Sequence, residues 1–268
     1  MASVVTVDGL FFQRTDREGN AQPILKNVNM EIGDREFVSV VGPSGCGKTT
    51  LLGLCTGLLQ PSQGQVLIGG AKALPSNVDK AVVFQQDSLF PWRTIQDNIA
   101  LGLERGTASR KARHDKAAEL ATLVGLEGYE KHYPHELSGG MRQRVNVARA
   151  LAVDPKVLLM DEPFSALDAQ TRDLMQLELL RIWAVGKKTV MFVTHQIDEA
   201  VFLSDRVIVL SKGPGQVLAD IKIDLPRPRT LDAKLSPKFQ EYMREIWALI
   251  EPMHDKKVDD DTKESEQS

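Results

Sequence analysis

One octapeptide, Gly-Pro-Ser-Gly-Cys-Gly-Lys-Thr at residues 42–49, constrains the fold of this chain more than any other feature. It matches the Gly-x-x-x-x-Gly-Lys-[Ser/Thr] phosphate-binding pattern at every fixed position. The apolar run at residues 37–41 predicts a buried strand before it, and the leucine-rich residues 49–59 predict a helix after it. A strand, a glycine-rich turn and a helix in this order indicate an α/β nucleotide-binding core.

The residue types of this loop suit an anionic ligand. Glycines let the backbone turn tightly and bring its N–H groups to a phosphate, and the following helix points its positive end at the same place. We expect Lys48 to reach the terminal phosphates and the Thr49 hydroxyl to ligate Mg²⁺. The alternative is a glycine-rich turn without a ligand, which requires the strand, loop, Lys-Thr pair and helix to coincide by chance. The candidate phosphate-binding residues are Gly42, Pro43, Ser44, Gly45, Cys46, Gly47, Lys48, Thr49 and Thr50.

Composition excludes several classes of protein. The chain has 268 residues, of which 42% are hydrophobic, enough for one substantial core with room for a subdomain. A net charge of −3 argues against a nucleic-acid footprint. No apolar run reaches the roughly 20 residues that a transmembrane helix needs, and residues 1–9 lack the pattern of a signal peptide. The two cysteines fit a reducing environment, with Cys55 expected in the core.

Hydrophobic patterning predicts strands that alternate with helices, hence a parallel sheet covered on both faces. Two further strands form an antiparallel patch, at residues 4–12 and 27–32, joined by a polar loop at residues 15–22. The other predicted strands are residues 65–68, 81–84, 157–160, 189–193 and 207–210, and the other predicted helices are residues 109–124, 141–153 and 169–185. We expect one domain over residues 1–254, comprising a core (about 1–86 and 155–227), a helical insertion (about 87–154) and a C-terminal helix (about 235–251), followed by a disordered tail at 255–268.

A second acidic element accompanies the phosphate loop. Residues 157–160 are four apolar residues, and the carboxylates Asp161 and Glu162 follow them. A buried parallel strand delivers its carboxyl end to the ligand crevice of an α/β sheet. Asp161 is therefore expected in the Mg²⁺ shell, and Glu162 is expected to act as a general base on an attacking water. Acidic residues at a strand end are common in isolation, but here a phosphate loop comes with them.

Residues 137–145, Leu-Ser-Gly-Gly-Met-Arg-Gln-Arg-Val, predict a second anion site. Ser138 is a suitable helix N-cap, and Gly139 and Gly140 expose backbone N–H groups at a helix start. Taken alone, this tripeptide is explained equally well as a glycine-rich cap.

These motifs, in this order, resemble the nucleotide-binding subunit of an ABC transporter over roughly residues 4–230. The resemblance implies an α/β fold: a RecA-like P-loop NTPase core with an antiparallel β subdomain and a helical insertion. It implies that Gln85 begins a loop that senses Mg²⁺ and the membrane partner. It also implies that residues 165–168, ending at Asp168, cross between two subunits, and that His195 is a switch histidine.

The resemblance further implies a mechanism. Two subunits pack head to tail as a homodimer in the ATP-bound state. The cradle of Ser138, Gly139 and Gly140 in one chain closes on the γ-phosphate that Lys48 holds in the other. The catalytic set is then Glu162, His195, Lys48 and Gln85, and the metal ligands are Thr49, Gln85 and Asp161. A single chain should bind ATP but hydrolyse it poorly.

Residues 85–94, 213–215 and 224–229 resemble the importer branch that handles nitrate, aliphatic sulfonates and taurine. The partners implied are two transmembrane permease subunits and, indirectly, an extracytoplasmic solute-binding protein. The chain would lie peripherally on the cytoplasmic face of the inner membrane and would bind no nucleic acid. The alternatives are a soluble ABC ATPase without a transport role, and an exporter or lipid transporter.

Several positions carry two interpretations. Trp92 is either an anchor for the permease or a residue of the insertion's core. The Pro-Arg-Pro-Arg stretch at residues 226–229 marks the importer branch or is a rigid surface linker. Phe12 is the first choice for stacking on adenine, with Phe11 or Arg14 as alternatives. Family members often have glycine where this chain has Arg35.

Overall fold

The computed structural model describes residues 3–16, 19–76, 79–86, 88–104, 107 and 109–251. Its strands are β1 (Ser3–Thr15), β2 (Ala21–Gly33), β3 (Phe37–Val41), β4 (Gln63–Ile68), β5 (Ala71–Lys72), β6 (Lys80–Val83), β7 (Val157–Asp161), β8 (Thr189–Val193), β9 (Arg206–Leu210) and β10 (Val217–Lys222). Its α-helices are α1 (Lys48–Thr56), α2 (Ile95–Ala100), α3 (Arg110–Leu123), α4 (Gly139–Ala152), α5 (Ala169–Gly186), α6 (Ile197–Leu203) and α7 (Pro237–Ile250). The predicted tail at 255–268 lies outside the described residues.

The central sheet has six strands in the order β10-β9-β3-β8-β7-β6. Every neighbouring pair is parallel except β10 with β9, which is antiparallel. All five residues of β3, of β7 and of β8 are buried, as expected for strands that helices cover on both faces. The predicted α/β class with a parallel sheet is confirmed.

A second, antiparallel sheet has the order β2-β1-β4-β5 and packs over α1. The predicted loop at residues 15–22 is too long, because β1 continues to Thr15 and β2 begins at Ala21. The register pairs Thr15 with Ala21, so backbone pairing continues through polar residues that the hydrophobic pattern did not mark. Strand ends that reach solvent lack the alternation of apolar and polar residues, so hydrophobic patterning does not predict them as strand.

Helix α1 ends three residues before the predicted boundary at residue 59. Gly57 follows it with φ 78°, in the left-handed region, and its N–H donates to the Leu54 carbonyl. Leu58 consequently lies beyond the helix and is 63% exposed. Cys55 is buried in the core, as predicted.

Helices α2, α3 and α4 pack together around an apolar cluster of their own, and each of the three helices contributes buried residues to it. Ser109 caps α3 and Ser138 caps α4, each accepting a hydrogen bond from a backbone N–H three residues later. Helix α2 was not predicted, because six residues are too few for a periodic pattern. No helix within the described residues is long and apolar enough to cross a membrane.

The opposite face of the central sheet carries α5, α6 and α7. Here the interpretation of residues 226–229 as a surface linker fits the exposed Pro226 and Pro228 but is wrong for Arg229. Arg229 is 5% exposed, and its guanidinium donates to the carbonyls of Val201 and Phe202 in α6, at 3.1 and 2.7 Å. Burial, followed by the nearby Arg227 charge, lowers the pKa of Arg229 to about 10, so it keeps its charge at neutral pH.

The turn between β2 and β3 holds Arg35 in a conformation that favours glycine. Its φ is 61°, and its side chain is 67% exposed with one contact, to Asp34. We expect Arg35→Gly to raise the free energy of unfolding by about 0.5–1 kcal/mol, because the left-handed strain exceeds the added backbone entropy of glycine. Urea unfolding followed by circular dichroism measures this change. Asp34→Gly, in the same turn without a positive φ, should destabilise, and equal effects of both would contradict the strain argument.

Candidate active site

Residues 42–49 lie between β3 and α1, at the carboxyl end of a fully buried strand. Gly47 immediately precedes α1 and has φ 97°, in the left-handed region. A Cβ at Gly47 would lie 2.7 Å from Leu25 Cδ2, so any side chain there would also collide with β2. The loop can therefore present the first N–H groups of α1 to an anion.

Lys48 is 7% exposed and folds back over the loop. Its ammonium donates to the carbonyl oxygens of Gly42, at 2.7 Å, and Pro43, at 3.1 Å. Burial raises the pKa of the Cys46 thiol beneath it, so at neutral pH this side chain adds no competing negative charge. The exposed or half-exposed members of the predicted phosphate set are Ser44, Gly45, Gly47, Thr49 and Thr50.

Two of the three predicted metal ligands, Thr49 and Asp161, are brought together. Asp161 ends β7, and the Thr49 hydroxyl donates to its Oδ1 at 3.4 Å. Burial, followed by the neighbouring Glu162 charge, raises the pKa of Asp161. A divalent cation at this point would offset both effects, since it favours the ionised carboxylate.

The donor set also indicates which cation fits. Within the described residues there is no group of three or more His, Cys, Asp or Glu side chains that could hold a metal ion. For such an ion the phosphate loop and the end of β7 offer one hydroxyl, Thr49, and one carboxylate, Asp161, so other ligand positions would fall to further side chains, a bound ligand or water. Mg²⁺ is bound in this way beside phosphates, whereas structural Zn²⁺ needs four protein ligands.

Glu162 and His195 are in direct contact, although 33 residues separate them. Glu162 follows β7 and His195 lies just beyond β8, so two neighbouring parallel strands end at the same place. His195 Nδ1 lies 3.0 Å from Glu162 Oε2. When Nδ1 carries the proton and donates it to the carboxylate, a neutral His195 has Nε2 left as an acceptor. The imidazole can thus orient the carboxylate.

Glu162 also has an unusual backbone. Its φ is 42°, and its N–H donates to the Val193 carbonyl at 2.8 Å. A non-glycine residue in the left-handed region costs free energy, and such residues cluster at functional sites. The bond to β8 fixes the turn that aims the side chain at His195.

Gln85 lies beyond β6 and contacts the loop after β7. Its Nε2 donates to Ser165 Oγ at 3.1 Å, and Ser165 Oγ donates to the Glu162 carbonyl at 2.9 Å. The sequence prediction gave Gln85 a link to Mg²⁺, and its polar contact here is instead to the segment at 165–168. Ser165 belongs to the segment predicted to cross between subunits, but only Asp168 of that segment was among the predicted site residues.

The second predicted anion site starts α4. Ser138 Oγ accepts from the Met141 N–H at 3.3 Å, and Gly139 and Gly140 form the first turn. Gly139 lines a groove of about 610 Å³ together with Gln85, and none of the described residues 42–49 lines that groove. Within one chain, the groove at this helix start therefore does not include the phosphate loop.

Asp168 caps α5, its Oδ1 accepting from the Thr171 N–H at 3.0 Å. That hydrogen bond lowers the pKa of Asp168, so the carboxylate is charged at neutral pH. The residue is exposed, immediately after the segment that the resemblance places between subunits.

Phe12 pairs with Leu25 across β1 and β2 and is half-buried against the same apolar cluster as Cys46. Phe11 instead pairs with Gln63. Sequence reasoning missed Leu25, whose side chain backs Gly47, because no motif connects a strand residue with a loop 22 positions later. Only the paired strand reveals it.

Comparison with known proteins gives consistent matches. A family model described as "ABC transporter" matches residues 25–165. An uncharacterised ABC transporter ATP-binding protein of Methanocaldococcus jannaschii is 51% identical over 87% of this chain and 86% of that protein. The taurine import ATP-binding protein of Rhizobium johnstonii is 46% identical over 89% and 93% of the two chains. An aliphatic sulfonates import ATP-binding protein of Bacillus cereus is 43% identical over 92% and 96%.

A solved structure matches as well. It is the dimeric, post-hydrolysis structure of an ATP-binding cassette bound to ADP and Pi. The similarity has a TM-score of 0.72 at 34% sequence identity, and it covers 83% of this chain and 100% of the other.

Proposed function

The chain belongs to the ABC transporter family and is an ATPase of that family, and we propose that it powers a membrane importer. The observation that carries the chemistry is the pair of contacts at the end of β7, Thr49 with Asp161 and Glu162 with His195. A cation-binding carboxylate and a candidate base thereby stand next to each other in the chain, beside the phosphate loop.

The loop at 42–49 holds the phosphates of ATP. Lys48 exchanges its bonds to the Gly42 and Pro43 carbonyls for phosphate oxygens, since a charged acceptor is the stronger partner. The N–H groups of Thr49 and Thr50 in the first turn of α1 donate to the same anion. Phe12 stacks on the adenine, at the edge of the apolar cluster behind the loop.

Thr49 and Asp161 would hold Mg²⁺, and Gln85, which lies beyond β6, is the third proposed ligand. When bound, the cation supplies charge neutralisation for the phosphate oxygens. The low exposure of Asp161 lets its carboxylate act in a poorly solvated site, where charge interactions are stronger.

Hydrolysis then depends on Glu162 as the general base. Its carboxylate orients a water and takes a proton as that water's oxygen bonds to the γ-phosphorus, while the bond to the β,γ-bridging oxygen breaks and ADP leaves. His195 holds the carboxylate in its productive rotamer through the 3.0 Å contact. Precise orientation of the reacting groups contributes a large part of such catalysis.

A complete site needs two copies of the chain. The Ser138–Gly140 helix start of one protomer closes on the γ-phosphate bound by the other, and in support, the groove that Gly139 lines within one chain does not include the phosphate loop. The dimeric cassette structure supports this arrangement. Asp168, exposed and charged at the start of α5, lies where it can contact the partner.

Import of a small anion or organic solute of the nitrate, sulfonate or taurine type is supported by the names of relatives that are import ATP-binding proteins for taurine, aliphatic sulfonates and nitrate. The partners are two membrane permease subunits and, indirectly, a solute-binding protein, so the chain lies peripherally on the cytoplasmic face of the membrane. Residues 1–254 act as one ATPase domain, and the separate apolar cluster of α2, α3 and α4 supports a helical subdomain at about 87–154.

Trp92 is the residue we assign to the permease contact. It is 71% exposed and packs against Phe90, with the ring centroids 5.3 Å apart and the ring planes tilted by 57°, so the alternative that it fills the insertion's core is wrong. An exposed tryptophan supported by a second ring is well suited to become a binding hot spot, with a truncation cost on the order of 2–4 kcal/mol.

The test is recovery of the permease from detergent-solubilised membranes of the native host with tagged chain. We expect wild type to co-purify with a multi-spanning permease and Trp92→Ala to lose most of it. Trp247→Ala is the matched control, since Trp247 is half-exposed on α7. Recovery of wild type with ribosomal or DNA-repair proteins and without a permease would overturn the transport role while leaving the ATPase chemistry intact.

A further inference from the structure

One side chain outside the assigned motifs connects the two loops that flank Glu162. Arg172 of α5 donates from Nη2 to the Leu167 carbonyl at 2.8 Å and from Nη1 to Gln196 Oε1 at 2.9 Å. Leu167 belongs to the segment at 165–168, and Gln196 directly follows His195. A single planar guanidinium therefore spans from one loop to the other.

The far side of the same group faces a buried acid. Glu199 Oε1 lies 3.8 Å from Arg172 Nε, which is buried and makes no hydrogen bond within the described residues. Glu199 Oε2 accepts from the Thr194 hydroxyl at 2.7 Å, and that hydroxyl accepts from the Gln196 N–H at 3.0 Å. These contacts form a closed ring of Arg172, Gln196, Thr194 and Glu199 around the loop that carries His195.

The ring has a geometric consequence. His195 lies between two of its members, Thr194 and Gln196, and its own contact with Glu162 is exposed on one side. The guanidinium makes two bonds in a fixed fork, so it sets the separation of the two loops as well as their orientation. A lysine has the charge but not the fork.

We propose that Arg172 is a positioning residue for hydrolysis, which acts through Gln196 and Leu167 to hold His195 and the 165–168 segment in register around Glu162. The inference rests on the proposed ATPase function. It assigns to Arg172 an effect on turnover rather than on nucleotide affinity, because its two hydrogen bonds go to Leu167 and Gln196 and not to the phosphate loop or α1.

The experiment is steady-state hydrolysis of Mg·ATP by the full chain. Arg172→Met keeps an unbranched apolar stem and removes all the donors of the side chain, and we expect kcat to fall about 10–100-fold, as small misplacements of catalytic groups do. KM for ATP should stay within about threefold. Arg172→Lys should give an intermediate kcat, since one ammonium cannot reproduce the fork.

The matched control is Arg181→Met on the same helix. Arg181 is half-exposed, and its contacts, Glu178 and the Leu123 carbonyl, belong to α5 and to the end of α3. Its kcat should remain within about twofold of wild type. Equal losses in Arg181→Met and Arg172→Met would attribute the effect to the stability of α5 and overturn the proposal.

A double-mutant cycle with Gln196→Ala separates positioning from general structure. If Arg172 acts through Gln196, the double variant should lose clearly less activity than the product of the two single losses. A double variant whose loss equals the product of the two single losses overturns the proposal. An Arg172→Met kcat within twofold of wild type overturns it as well. If Arg172→Met does not fold, Arg172→Lys takes its place, and a wild-type kcat in that folded variant likewise overturns the proposal. A wild-type chain without any turnover would instead overturn the ATPase function on which the inference depends.

Discussion

Glu162→Gln should hydrolyse ATP about 10²–10⁴-fold more slowly than wild type, the typical loss when a general base is removed. Glutamine has the same shape but cannot take the proton of the attacking water. The Thr49–Asp161 pair is untouched, so nucleotide and Mg²⁺ binding should persist, and the variant should accumulate as an ATP-bound dimer. Phosphate release in Mg·ATP measures the rate, and size-exclusion chromatography with ATP measures the dimer.

Glu119→Gln is the control for this change. Glu119 lies on α3 and contacts Lys116 at 2.9 Å on an exposed surface, so its variant should turn over like wild type. Normal hydrolysis by Glu162→Gln would show that the carboxylate next to His195 is not the base. Loss of ATP binding in that variant would contradict the separation of roles between Asp161 and Glu162.

His195→Ala should lower kcat by about 10²-fold with little change in ATP affinity. The substitution removes the 3.0 Å contact that orients Glu162, so the carboxylate can leave the geometry in which it accepts a proton. Turnover in Mg·ATP and equilibrium binding of a fluorescent ATP analogue distinguish the two quantities.

His135→Ala provides the comparison, since His135 is exposed in the turn before α4 and has no contact with the β7 end. If His195→Ala retained full turnover, its contact with Glu162 would be merely structural. If it lost ATP affinity to the same extent as turnover, the switch role would be wrong, because the histidine would then serve binding.

The phosphate loop illustrates how much local sequence can predict. The predicted bounds of the strand before it, residues 37–41, agree with β3 at both ends. A short, valine-rich, mostly apolar run of this length predicts a buried strand from its local sequence alone. The same holds for β8, predicted and found at Thr189–Val193. The sequence also predicted Ser138 as the N-cap of α4, since a capping hydrogen bond joins residues only three positions apart.

Other features were hidden because they depend on distant residues. Strand β10 lies at the sheet edge and has a single buried residue, Ile221, among half-buried and exposed ones, so its sequence carries no strong apolar pattern. Arg229 looks like a linker residue until the fold places it beside the last carbonyls of α6. Arg172 carries no motif at all, and its importance comes from two loops that other strands bring to it.

The sequence by itself therefore determined the chemistry: a phosphate loop, a carboxylate pair after a buried strand and a capped helix with two glycines, each encoded within a few residues. Only the tertiary structure decided that Glu162 meets His195, that Trp92 faces outward and that Arg172 spans two loops. The physical reason is that parallel strands can bring residues tens of positions apart to the same edge of a sheet, and hydrophobic periodicity carries no information about which strands become neighbours.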